Sequence, residues 1–261
     1  MKIMISAEGV TDAGWDDWTG GDFKANQGPI QVYITRILEV SGFPSDNIEF
    51  IKYDRKIEKK KRKSRDHFTH YGKAVMGARG HGQEAAIMRA AASREKCAAA
   101  VFHVDSDRPA GDANDWTVCN KHFCEVRAEI LTGFDDGKNG CFLIPCVPVK
   151  MMESWLLADE NAIIAVSPKP NQMVKNIAPK KPELLWGDKK NSSSNYPKRV
   201  LERVLAEYGL SYNRSTMADI SYEQDLDLVK ERCEISFQPF YEDILAFAGK
   251  WSDAADGGED S

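Results

Sequence analysis

The chain has 261 residues and a net charge of −5, with its 35 basic residues unevenly spread. That size supports one full hydrophobic core with an appendage. The charge excludes a uniformly basic nucleic-acid binder, and six cysteines in so long a chain exclude a disulfide scaffold.

Residues 1–7 read as a short buried strand closed by Glu8-Gly9, and the Gly- and Asp-rich stretch 11–27 as a loop. Pro29 suits the first turn of a helix whose apolar residues Ile30, Ile34, Ile37 and Leu38 recur at helical spacing up to Ser41-Gly42. A strand over 47–53 follows, so the opening reads strand, helix, strand.

A basic block comes next, within an insertion near 52–82. Lys59, Lys60, Lys61, Arg62, Lys63 and Arg65 form its densest part, with Phe68 and Tyr71 placed for stacking. In isolation such a run is a solvated face; between the strands of a phosphodiester site it suits a nucleic-acid backbone. The glycines at 77–82 lack a Walker lysine–serine pair and predict no P-loop. His67, His70, His81 and Cys97 match no zinc-module spacing.

The Ala-rich stretch 83–96 predicts a helix leading into a strand over 98–104, which contains His103, expected as a satisfied core residue. Asp105-Ser106-Asp107 closes that strand, Arg108-Pro109 turns the chain, and a helix capped by Asn114 or Asp115 spans 115–131. Residues 141–149 predict a strand whose Pro145 and Pro148 indicate a sheet edge, and a helix carrying Glu153 begins directly after it. The Pro-, Lys- and Ser-rich stretch 167–195 reads as a linker or irregular excursion. Helices are expected over 196–208, 222–233 and 236–251, and an acidic disordered tail over 252–261. The expected fold is therefore α/β: a mostly parallel Rossmannoid sheet over 1–166, a helical region over 167–251, and the tail.

Glu8 and Asp105-x-Asp107 each follow a buried strand, and Glu153 repeats the pattern. In a parallel sheet the carboxyl ends of the strands form one crevice, where acids distant in sequence converge. Two carboxylates 4 Å apart repel by roughly 4 kcal/mol at an effective dielectric near 20, so such a cluster takes up protons or a hard cation. Mg²⁺ or Mn²⁺ fits, sharing its shell with phosphate oxygens.

At these residues the sequence resembles the Toprim domain shared by topoisomerases, bacterial primases and OLD-type nucleases. Glu8-Gly9 matches the family's strand-terminal Glu, and Asp105-Ser106-Asp107 its Asp-x-Asp. More narrowly, the ESWLLAD stretch at 153–159 and Ser236-Phe237 look like uncharacterised bacterial Toprim-like proteins encoded beside ABC-type ATPases in defence loci. The basic insertion separates Glu8 from Asp105 more widely than compact Toprim domains do. The resemblance implies that Asp105 and Asp107 hold the cation, that Glu8 ligates it or acts as general base, and that Glu153 completes a second site. Lys150 and Arg108 would neutralise the transition state. With no covalent nucleophile evident, the resemblance implies a metal-dependent nuclease on DNA or RNA, the effector of an ATPase-coupled anti-phage system, able to be a homo-oligomer.

Two other classes compete: a catalytically silent Toprim-like module docking on an ATPase or nucleic acid, and a haloacid dehalogenase-like phosphatase with Asp105 as nucleophile. The second expects its Asp-x-Asp in the first strand, followed by Thr or Val, where this chain has Arg108-Pro109 late in the sequence. The absence of membrane-length apolar runs and of a leader pattern, with reduced, buried cysteines, points to a cytoplasmic protein with no membrane partner.

Overall fold

The computed structural model describes residues 1–6, 12, 27–53, 80–106, 114–133, 141–169 and 179–256. Four strands, β1 (Lys2–Ser6), β2 (Glu49–Lys52), β3 (Ala99–His103) and β4 (Phe142–Cys146), form an all-parallel sheet in the order β2-β1-β3-β4. Such a sheet needs helices on both faces, which is why β3 is a continuous buried run with no alternation. Ile3, Ile5, Ala99 and Val101 face one core; Met4, Ala100 and Phe102 face the other.

Helix α1 (Pro29–Val40) covers the first face. Pro29 opens it with φ already set, and the Gln31 side chain accepts from the Gly28 N–H at 2.6 Å. Helices α2 (His81–Arg94) and α3 (Trp116–Thr132) cover the second face. Asp115 caps α3 by accepting from the Val118 N–H at 3.0 Å. The chain moves from β1 outward to β2, then crosses back over β1 to β3. That reversal separates α1 from α2 and α3 and makes the gap between β1 and β3 the topological switch point. Pro145 lies in the edge strand β4, where a missing donor is tolerated, and the ladder resumes at Ser106 opposite Val149.

Every residue from Met151 to Glu160 is buried, including the short helix α4 (Glu153–Leu156). Trp155 is its centre. Its ring stacks on Phe240 at 5.3 Å, meets Phe237 and Tyr33 edge-on, and its indole N–H donates to Ser236 Oγ at 2.8 Å. Helix α5 (Glu160–Ala165) follows, then α6 (Pro197–Glu207), α7 (Arg214–Glu223), α8 (Leu226–Arg232) and α9 (Phe237–Asp256). Phe237, Phe240, Ile244 and Phe247 of α9 share a core with Ile3, Ile5 and Ile144 of the sheet. Helices α6 and α7 form a separate cluster on Leu156, Leu157 and Ile163.

Several expectations need correction. The helix expected over 222–233 is broken at Gln224. The buried Gln224 side chain turns inward, donating to the carbonyls of Trp155 (2.9 Å) and Leu156 (3.3 Å) and accepting from the Tyr33 hydroxyl. Asp225 then caps a new helix through the Asp227 N–H at 2.9 Å. Helix α7 had no counterpart in the sequence reading, and α9 continues through Asp256, past the start expected for the acidic tail at 252. The stretch read as a linker contains a 3₁₀ turn, Pro182–Leu184, whose Glu183 is buried in the core. Of the insertion near 52–82, residues 54–79 lie outside the described residues.

Candidate functional site

Ser6, at the end of β1, pairs with Phe102 of β3, and the His103 N–H donates to Ser6 Oγ at 3.2 Å. The two strands flanking the switch point therefore finish side by side. Asp105 continues from β3 with its side chain one-fifth exposed, and its Oδ1 lies 3.3 Å from Nε2 of the fully buried His103. The buried imidazole and the carboxylate are thus in direct contact.

Glu153 arrives from the other direction, just after β4, and Tyr212 donates its hydroxyl to Glu153 Oε1. Glu153 is pushed up to about 7: burial is the main cause, the Tyr212 hydrogen bond opposes it, and the charges of Asp105 and Asp12 add to it. The same two charges, after burial, hold the Cys146 thiol well above its ordinary value. The Tyr212 hydroxyl is likewise raised, by burial and then by Glu153. Asp12, Asp105 and Glu153 thus stand close enough to act on common neighbours.

Sequence reading identified Asp105 and Glu153 and missed Asp12, Tyr212 and the role of His103. Asp12 sits in a Gly- and Asp-rich stretch where aspartate is the ordinary turn residue, and no local pattern pairs Tyr212 with an acid 59 positions away. Glu8, Asp107, Arg108 and the basic residues Lys59, Lys60, Lys61, Lys63, Arg62 and Arg65 lie outside the described residues. Lys150 is buried in the left-handed region at φ 67°, its ammonium 4.7 Å from the Trp186 ring. Burial lowers its pKa, with the Cys119 thiol of α3 opposing. Among the described residues no three His, Cys, Asp or Glu side chains form a group able to hold a metal ion. The six cysteines are free thiols, five of them buried.

A second buried carboxylate provides a contrast. Glu183 accepts from the Ile235 and Ser236 N–H groups, both at 2.9 Å, and from the Ser236 hydroxyl. Ser236 Oγ in turn accepts from the Val149 N–H at 3.2 Å and from Trp155. Burial pushes Glu183 up to about 7 and these donors pull against it. Ser236, first noticed as half of a Ser-Phe pair, is the joint fastening α9 to the end of β4.

Comparison of the chain with protein-family models, with curated proteins and with solved structures returns no match. Among the described residues no helix is long and apolar enough to cross a membrane.

Proposed function

We propose that the protein is a Toprim-like, Mg²⁺- or Mn²⁺-dependent nuclease that hydrolyses phosphodiester bonds in DNA or RNA. The observation that carries this reading is Asp105, directly after β3 and beside the end of the strand that Glu8 follows, with the buried Glu153 near enough to feel its charge. Like charges in a buried crevice call for a proton or a cation. In this reading Asp105 and Asp107 would hold the cation, and Glu8 would either ligate it or act as general base toward the attacking water. Tyr212 orients Glu153, His103 stands against Asp105, and Glu153 would have to be ionised to join a cation site. The metal supplies charge neutralisation on the phosphate and a more acidic water. A neighbouring ABC-type ATPase as partner rests on the resemblance at 153–159 and Ser236-Phe237, and a cytoplasmic setting on the reduced cysteines.

The test is cleavage of plasmid, single-stranded DNA and transfer RNA with Mn²⁺, with and without the ATPase. Glu8→Gln and Asp105→Asn each abolish cleavage while melting like the wild type. Undiminished cleavage by either variant overturns the reading.

One observation favours a second reading, a silent module docking on an ATPase or nucleic acid. Tyr212 and a proton satisfy Glu153 without a metal. Calorimetry with Mn²⁺, with and without ATPase and nucleic acid, decides: no binding in either arm selects the silent module.

A further inference from the structure

A second basic region lies apart from the 59–65 block. Between positions 179 and 203 seven basic residues stand against three acids, and one of those acids, Glu183, is buried. The loop at 188–195 is closed by its own side chains. Asp188 Oδ1 accepts from the Lys190 N–H at 2.8 Å, Asn191 Oδ1 from the Ser193 N–H at 2.9 Å, and the Ser194 hydroxyl donates to the Asp188 carbonyl at 2.7 Å. Two arginines one turn apart on α6 brace it: Arg199 Nε donates to the Lys189 carbonyl at 2.9 Å, and Arg203 donates to the Ser192 and Ser194 carbonyls. With its backbone thus fastened, the loop projects Lys189 and Lys190 into solvent.

The same helix connects this loop to the acidic crevice. Lys198, in the first turn of α6, places its ammonium 4.6 Å from the centre of the Tyr212 ring, and the Tyr212 hydroxyl binds Glu153. Cations therefore stand both beside Tyr212, the donor to Glu153, and on the loop braced by the same helix. Lys189, Lys190 and Lys198 form no ion pair with a carboxylate among the described residues. Two exposed lysines on a braced loop and a third on the adjoining helix suit the regularly spaced charges of a phosphodiester backbone.

We infer that Lys189, Lys190 and Lys198 form the surface over which a nucleic-acid strand runs to the carboxylate crevice. This deepens the nuclease reading and rests on it for where the strand leads. The strand's phosphates bind the three ammonium groups, and Tyr212, with one face taken by Lys198, marks where the cationic path meets the acids.

The test is fluorescence anisotropy of the full chain with a labelled single-stranded oligonucleotide in EDTA, over a range of salt concentrations. The triple variant Lys189→Gln, Lys190→Gln, Lys198→Gln loses about tenfold or more in affinity, and its log–log salt slope is shallower by about 2, as three lost phosphate contacts require. The control Lys2→Gln, Lys96→Gln, at the opposite edge of the sheet, binds like the wild type. Unaltered affinity and slope in the triple variant, or no binding by the wild type, overturns the inference. Because the measurement contains no divalent metal, a failure of Mn²⁺-dependent cleavage defeats the nuclease reading and leaves this result to be judged separately.

Discussion

Glu183 and Glu153 are both buried carboxylates pushed up to about 7, yet they occupy opposite kinds of environment. Glu183 is surrounded by donors: two backbone N–H groups and a hydroxyl satisfy it at the joint between the sheet and α9. Glu153 has the Tyr212 hydroxyl and its own backbone N–H as donors, and two neighbouring charges of its own sign. Equal acidity thus conceals a structural carboxylate and a frustrated one. What separates them is the arrangement of partners, which is why buried acids cannot be sorted by pKa alone.

The contrast breaks first at Glu183. Replacing it with Ala leaves the Ile235 and Ser236 N–H groups buried without their acceptor, and should cost about 3–5 kcal/mol. Glu183→Ala is therefore expected to melt far below the wild type, as chemical denaturation will measure; a loss under about 1 kcal/mol would mean Glu183 is no joint. Glu153→Gln is expected to do the reverse. A carboxyl whose pKa is raised on folding contributes stability fully present below its unfolded value near 4.5, and lost as pH rises through about 7. Gln imitates the protonated acid without titrating, so the variant should match the wild type near pH 5 and exceed it by about 2 kcal/mol near pH 8. Equal differences in urea midpoint at both pH values would exclude repulsion as the cause. Tyr212→Phe gives the smallest effect. Loss of its hydroxyl removes the larger of the two hydrogen bonds favouring ionised Glu153, so the carboxyl titration followed by NMR should move upward, by about 1 kcal/mol in free-energy terms. A downward movement would reverse the role given to Tyr212.

Much of the sheet was legible because its signals are local. Runs such as 98–104, Pro29 before an apolar helical stripe, and Asp115 before Trp116 each act within a few residues, and the strands and α1–α3 lie within a few positions of where these signals put them. The α/β class and the edge position of the proline-bearing β4 follow from the same signals. Where long-range partners decide, the reading failed. Nothing near Gln224 announces that its amide will break a helix to bond Trp155 and Leu156, and Glu183, flanked by prolines and lysines, looks like any solvated acid. At the site, Asp105 and Glu153 were found because an acid directly after an apolar strand is conspicuous. His103 was read as core, and it is buried, but its contact with Asp105 depends on how β3 ends.

The sharing of one core by Ile3 and Phe247 has a consequence for biogenesis. Synthesis proceeds from the N-terminus, so β1 emerges more than two hundred residues before the aromatic side chains that will cover it. Until α9 has left the ribosome the first face of the sheet has α1 and Trp155 over it but lacks Phe237, Phe240 and Phe247, so its core closes only late in synthesis.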